Sequence, residues 1–298
     1  MAMNPLELRR SITGWEHHGR ARLVLVLALL LVVLLVSLTL RPPESAPAAA
    51  PAPATAPAAG KVLEELQYRV DVWVWRDALS AKLVFKELTP GHYLAELTGR
   101  TQGFLSLITG NWGGALSTEM EYSQGKLRPL VYREISNKRG KNRLMEYRFD
   151  YTKDKVELWK SEKDDTLTKK WESTLKDPMY DPLTFFYNRR LTGNPLGSKG
   201  GETLKFQGIP YPEPDEILLR VGDKTSQGRK IMLELGNRVF KGERSQVYAY
   251  LDPEGVPTKA WTKVLAFGDI NIELLPESKR LNKQELLPAP DQAAAARP

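Results

Sequence analysis

Acidic side chains are the residues of this chain whose spacing comes closest to that of a catalytic site. Glu119 and Glu121 fall on one side of a predicted strand, and Asp177 and Asp181 lie four residues apart in DPMYD. Two carboxylates across a cleft can hydrolyse a glycosidic bond. Exposed alternation along a strand also explains the first pair, and helix capping explains the second. Carboxylate catalysis on an envelope polysaccharide is therefore kept as a third hypothesis.

Other catalytic and metal-binding groups are scarce. The chain has no cysteine, and His92 is the one histidine beyond residue 60. Zinc needs three or four ligands, and a Ser-His-Asp triad would have to use His92 without a G-x-S-x-G turn. The glycine-rich GNWGG lacks the lysine of a phosphate-binding loop. We therefore predict a protein that is not an enzyme and uses neither a metal nor a cofactor.

The aromatic and apolar side chains point to binding. The segment QGFLSLITGNW, between two predicted strands, is apolar although loops usually run over the polar surface. Such a loop either packs into the core or lines a cavity or an exposed apolar patch. The residues predicted to line a ligand site come from the first strand, from this loop and from a predicted helix: Trp73, Trp75, Phe104, Leu105, Leu107, Ile108, Trp112, Leu183, Phe185 and Phe186.

A two-residue period in hydrophobicity predicts the elements that must position these side chains. In LQYRVDVWVW, one face carries Leu66, Tyr68, Val70, Val72 and Val74. Three pairs of alternating segments flank the turn signals TPG, SQGK and TKD, and each pair predicts a hairpin. Ten or more strands at short spacing favour an all-β, mainly antiparallel fold, with a curved sheet or half-open barrel.

The segment DPMYDPLTFFYNRR interrupts this pattern and predicts one short helix. Asp181 is a good N-cap and Pro182 suits the first helical position. Arg189 and Arg190 lie near the helix C-terminus, where the dipole favours cations. So short a helix is unstable alone in water and must lean on the sheet. It either plugs a barrel mouth or sheet face, or borders a ligand cavity.

The N-terminal part predicts a membrane anchor. After Arg22 come eighteen uncharged residues, which span about 27 Å as a helix, close to the thickness of the hydrocarbon core. We predict a cytoplasmic N-terminus over 1–20, a transmembrane signal anchor over 21–40 and a Pro/Ala-rich linker over 41–61. A cleaved signal peptide is the alternative. Arginines cluster before the segment, which places the rest of the chain in the periplasm of a Gram-negative cell.

The remaining chain divides into a β domain over 62–276 and a disordered tail over 277–298. The net charge is +7, but acidic and basic residues are interspersed along the strands. This pattern is typical of a solvated surface and disfavours nucleic-acid binding.

Several segments resemble one bacterial family in their order along the chain. DPLTFFYNRR resembles the Asp-Pro-Leu helix of the DUF3108 proteins, and YRVDVWVWRDALSAKLVF is similar to their opening hairpin. YLDPEGVPTKAWTKVLAFGDINIEL is similar to their last hairpin, and the resemblance covers about 64–276. It implies an envelope β domain of unknown biochemical function, with a curved sheet similar to that of periplasmic lipoprotein carriers.

The leading hypothesis is an inner-membrane-anchored periplasmic domain that binds a lipid, a lipoprotein or another amphiphilic envelope component. A protein-interaction module of an envelope assembly complex is the second hypothesis. The helix at 181–191 and the loop at 103–112 are predicted to border the binding site.

Overall fold

A computed structural model describes residues 60–103, 106, 109, 111–138, 141–161, 166–175, 179–191, 200–209, 215–235, 245–264 and 268–282. The predicted anchor over 21–40 and the linker up to residue 59 lie outside these residues. The described helices include none that is both long and apolar enough to cross a membrane.

Fifteen strands and a ten-residue helix make up the described fold, and the predicted all-β antiparallel class with one short helix is confirmed. The helix, α1, is Pro182–Leu191. The strands are β1 Lys61–Val72, β2 Trp75–Thr89, β3 His92–Thr101, β4 Gly113–Ser123, β5 Lys126–Lys138, β6 Lys141–Asp150, β7 Lys155–Ser161, β8 Leu167–Thr174, β9 Met179–Tyr180, β10 Thr203–Gly208, β11 Asp215–Thr225, β12 Gly228–Leu235, β13 Ser245–Leu251, β14 Pro257–Val264 and β15 Gly268–Leu274.

The strands form one sheet with two meandering arms that meet where β1 pairs with β15. The order is β8 to β1 without interruption, then β15 down to β9. Every neighbouring pair is antiparallel except β9 and β10, which are parallel. The first and last strands therefore lie side by side in the middle, and no described pairing joins the two outer strands β8 and β9.

The three predicted hairpins are confirmed as β2–β3, β4–β5 and β6–β7. The β4–β5 turn shows how the sequence sets them. Gln124 and Gly125 both adopt positive φ, 53° and 81°, as a two-residue turn of type I′ requires.

The burial of β1 follows the predicted alternation until the strand ends. Leu66, Tyr68, Val70 and Val72 are no more than 2% exposed. Val74 was predicted to continue this face, which was wrong, because it lies in the turn after β1 and is 66% exposed. The preceding Trp73 has a φ of 50°, so the chain reverses there and the alternation stops.

The sheet must curve around α1, because this one helix contacts strands that are far apart in the strand order. Asn188 bonds the main chain of Leu127 on β5 with both ends of its amide, at 2.7 Å each. Phe185 stacks on Phe206 of β10, with ring centroids 3.9 Å apart. These strands are ten positions apart, about 48 Å in a flat sheet, whereas a helix is only about 10–12 Å wide.

The chain also continues in ordered form beyond the predicted domain end at 276. Lys279 bridges to Glu65 on β1, and Leu281 is only 6% exposed. The structure thus places Lys279 beside β1 and Leu281 in the core, within the stretch from residue 277 that was predicted to be a disordered tail. Leu281 supplies an apolar side chain to the core, a role that the sparse composition of the tail concealed.

Candidate functional site

Asp181 fixes the start of α1 inside the fold. Its carboxylate accepts hydrogen bonds from the main-chain N–H groups of Leu183 and Thr184, at 2.9 and 3.1 Å. The hydroxyls of Thr184 and Thr118 donate to it at 2.5 and 2.7 Å. Burial raises the pKa of Asp181, although these hydrogen bonds favour the charged form. The predicted N-cap is confirmed, and Thr118 also ties it to β4.

Arg190 fixes the other end of the helix through a buried ion pair. Its guanidinium forms two bonds to Glu64 on β1, at 2.6 and 2.7 Å, and the two side chains are 2% and 0% exposed. Burial alone lowers the pKa of Arg190, but the hydrogen bonds and charge of Glu64 outweigh this effect and raise it. The sequence placed Arg190 near a helix dipole, whereas the structure points it into the core.

Glu64 serves as a shared acceptor that the sequence analysis missed. The Tyr187 hydroxyl donates to it at 3.0 Å, and the main-chain N–H of Leu281 donates at 3.2 Å. The signal was present, because Glu64 has the same strand parity as Leu66 and Tyr68, which face the core. Glu64 thus joins β1, α1 and the C-terminal segment.

An apolar cavity of about 140 Å³, partly open to solvent, lies between α1 and the arm β10–β14. It is smaller than the several hundred Å³ expected of a site that encloses a whole small ligand. Its size is close to that of an engineered apolar cavity of about 150 Å³ that stays dry and binds benzene or xenon. The apolar side chains that line it include Leu183, Phe185, Phe186, Phe206, Ile209, Ile217, Leu219, Ile231, Leu233, Val247, Ala249 and Leu251.

The structure brings together only the helical members of the predicted ligand-lining set. Leu183, Phe185 and Phe186 border the cavity. Trp73 is 66% exposed at the β1–β2 turn, where its ring meets Trp75 edge to face at 6.1 Å. Neither tryptophan lines the cavity. The remaining loop residues of the prediction, Phe104, Leu105, Leu107 and Ile108, lie outside the described residues.

Trp112 also lies away from the cavity, packed in the core at 2% exposure. A Cβ atom on Gly114 would come within 3.0 Å of its ring. The missing side chain at Gly114 therefore leaves room for the indole, and Trp112 belongs to the core alternative of the loop prediction.

A further set of buried polar side chains lies on β5 and β6. Tyr132 and Tyr147 stack with centroids 5.8 Å apart, and both are fully buried. Glu134 is 4% exposed, and neither of its oxygens has a hydrogen-bond partner among the described residues. Burial raises the pKa of Glu134 to about 8, although nearby Tyr132 and Lys160 favour the charged form. The Tyr132 hydroxyl is close, but no hydrogen bond of acceptable geometry joins the two.

The acidic residues considered for catalysis have structural partners. Glu119 pairs with Arg133 at 2.5 Å, and Glu121 pairs with Arg128 at 2.8 Å. Asp177 lies outside the described residues, and Asp181 is the helix cap. Within the described ranges, no three His, Asp or Glu side chains cluster in a way that could hold a metal ion.

Together these features define an antiparallel β protein whose curved sheet holds a short helix beside an apolar cavity. A model of the DUF3108 family, described as a protein of unknown function, matches residues 67–274. The chain therefore belongs to the DUF3108 family, as its sequence motifs predicted. No curated protein matches the sequence.

One solved structure resembles the fold. It is the crystal structure of a β-barrel-like protein of domain of unknown function DUF1849 from Brucella abortus, at 8% sequence identity and a TM-score of 0.44. The similarity covers 74% of this chain and 98% of that one.

Proposed function

We propose that this protein binds an apolar or amphiphilic molecule and that its cavity receives an alkyl segment of that molecule. The cavity between α1 and β10–β14 carries the proposal. Protein interiors are packed to the density of organic crystals, and voids larger than a water molecule are few. The side chains that line an apolar void lack contact partners on one side. An alkyl chain that moves from water into the cavity would therefore restore dispersion contacts to these side chains.

The placement of aromatic rings supports this role. Phe185 and Phe206, which both line the cavity, stack on each other, and Tyr187 stacks on Phe85 with centroids 4.0 Å apart. These contacts, with the cap at Asp181 and the ion pair at Arg190, hold α1 at both ends. The helix therefore forms a fixed wall, and binding needs no large movement of the fold. The proposed role is binding without catalysis.

We further propose that the domain is displayed in the periplasm by a single inner-membrane helix over 21–40. The eighteen uncharged residues after Arg22 support it, as do the arginines before them. This location would make lipids, lipoproteins or other amphiphilic envelope components the available ligands.

Filling the cavity tests the binding proposal. In Ala249→Leu, the added carbons enter the void that Ala249 lines. Full-length protein in a fixed concentration of non-ionic detergent is titrated with octanol, and binding is followed by the NMR shifts of the Ile217 and Ile231 methyl groups. We expect saturable shifts in the unchanged protein and binding weakened about tenfold or more in the variant, since most of the dispersion contacts would be lost.

The matched control is Ala115→Leu on β4, a partly exposed position that does not line the cavity. It makes the same chemical change and should bind octanol like the unchanged protein. Mass spectrometry of solvent extracts from the purified protein provides a second readout. Absence of methyl shifts together with absence of a co-purifying amphiphile would refute the binding proposal.

The location is tested separately with a reporter enzyme that is active only outside the cytoplasm. The reporter is fused after residue 60 in one strain and after residue 20 in another. We expect activity only from the first fusion, and membrane fractionation should recover the full chain with the inner membrane. Activity from neither fusion would contradict the predicted orientation.

A further inference from the structure

Three charged side chains border the cavity, and they differ in how they are satisfied. Asp181, Arg189 and Arg190 all contribute to its lining. Asp181 accepts four hydrogen bonds as the helix cap. Arg190 has both terminal nitrogens on Glu64, and its Nε donates to the main-chain oxygen of Glu254 at 3.3 Å. Asp181 and Arg190 therefore already have hydrogen-bond partners within the protein.

Arg189 is different because nothing in the described part of the chain pairs with it. Its Nε is buried and has no hydrogen-bond partner there. Burial lowers the pKa of Arg189, while the charge of Glu202 opposes this effect. Glu202 is nevertheless an exposed side chain, and no described ion pair joins it to Arg189. A guanidinium offers five N–H donors and remains charged at all physiological pH values. The Arg189 side chain is partly exposed, but its buried Nε–H has no acceptor among the described residues.

The position of Arg189 relates its charge to the cavity. It lies in the last turn of α1, the helix whose Leu183, Phe185 and Phe186 form the apolar wall. The helix dipole favours a cation in this turn, but the dipole provides no acceptor for a buried N–H. A cation beside an apolar void matches a ligand that has a negative head and a hydrocarbon chain.

We infer that the ligand is an anionic amphiphile whose carboxylate or phosphate accepts hydrogen bonds from Arg189 while its alkyl chain occupies the cavity. This inference rests on the proposed function and names the chemical class of its ligand. The planar guanidinium fork matches both headgroups with two parallel hydrogen bonds. A carboxylate would point to a fatty acid, and a phosphate would point to a phospholipid or a related phosphate ester.

The test compares ligands that share one chain and differ only in the head. Full-length protein is titrated with octanoate, octyl phosphate, octanol and octylammonium, with the Ile217 and Ile231 methyl groups as the readout. Charge-assisted hydrogen bonds are stronger than neutral ones, so we expect at least one anionic probe to bind about tenfold or more tightly than octanol. Octylammonium should bind more weakly than octanol.

The matched variants are Arg189→Gln and Arg100→Gln. Arg100 is an exposed arginine on β3 that does not line the cavity, so its variant loses the same charge elsewhere. Arg189→Gln should lose the preference for the anionic probes over octanol, whereas Arg100→Gln should keep it. Thermal unfolding checks that both variants fold, and if Arg189→Gln does not, the order of the four probes on the unchanged protein decides.

Each result separates the inference from the proposed function. If octanol and the anionic probes bind equally, or if octylammonium binds best, the anionic headgroup is refuted and the apolar binding function stands. If no probe shifts the cavity methyl groups, both are refuted. Preference for octanoate over octyl phosphate, or the reverse, identifies the headgroup.

Discussion

At the scale of single residues, two buried carboxylates of this fold differ in their hydrogen bonding. Glu64 is fully buried and meets a guanidinium, a tyrosine hydroxyl and a main-chain N–H. Glu134 is almost as deeply buried and has no hydrogen-bond partner among the described residues. Removing one member of a buried ion pair leaves an uncompensated charge, whereas neutralising an unpaired buried carboxylate removes a desolvation penalty.

This difference predicts how stability changes with pH. The pKa of Glu134 is raised from 4.5 to about 8 by burial, so between these values the folded state keeps a proton that the unfolded state loses. Glu134 does not reduce the stability of the fold below about pH 4.5, but the stability falls as the pH rises from there toward 8. Glu134→Gln should match the unchanged protein at pH 4.5 and be more stable at pH 8, by on the order of 4 kcal/mol.

Urea unfolding at a series of pH values measures the effect. The charge of Asp181, whose pKa is also raised, contributes to the raised pKa of Glu134, so the measured difference includes the loss of this repulsion. The control is Glu87→Gln on β2, which removes a partly exposed carboxylate. Its stability curve should run parallel to that of the unchanged protein. A Glu134→Gln curve that is also parallel would mean that Glu134 is ionised throughout this range in the folded state.

At the scale of elements, local signals determined what could be predicted. Each hairpin is encoded within about 30 residues by alternation and turn chemistry, and α1 is encoded by Asp181 and Pro182. The partners of α1 could not be predicted, because they come from distant parts of the chain. Asn188 and Leu127 are 61 positions apart, and Arg190 and Glu64 are 126 apart.

The candidate site was predictable to the same extent. Leu183, Phe185 and Phe186 of the predicted helix were expected to line a ligand site, and all three border the cavity. The opposite wall comes from β11 to β13, where Ile217, Ile231 and Ala249 look like ordinary alternating core residues. A void forms where two packed surfaces leave the space between them unfilled, so the sequence of either surface alone does not predict it. Tryptophans were poor indicators, since Trp112 fills space above Gly114.

At the scale of the whole molecule, the first and last strands lie side by side in the middle of the sheet. β1 and β15 pair with each other and join the two arms. The segment after β15 continues antiparallel to β1, where Lys279 bridges to Glu65 and Gln67 donates its main-chain N–H to the Ser278 hydroxyl at 2.9 Å. The Lys279 ammonium donates to the main-chain oxygen of Val62 at 2.8 Å. The end of the described chain therefore extends the pairing of the two arms along β1.

This arrangement predicts that two C-terminal truncations differ sharply. A chain that ends at Asn282 keeps this segment beside β1. A chain that ends at Pro276 loses Leu281, which is 6% exposed, and its Glu64 no longer accepts the hydrogen bond from the main-chain N–H of Leu281 at 3.2 Å. Burial of one leucine side chain contributes about 1.5–3 kcal/mol. The shorter chain should therefore be less stable by about 2 kcal/mol or more and should unfold roughly 5 °C or more below the longer one.

Thermal unfolding of both truncations beside the full-length protein measures this difference, with Leu281→Ala in the full-length chain as the single-residue counterpart. If the two truncations unfold at the same temperature, the pairing of β1 and β15 is stable without the segment that follows β15.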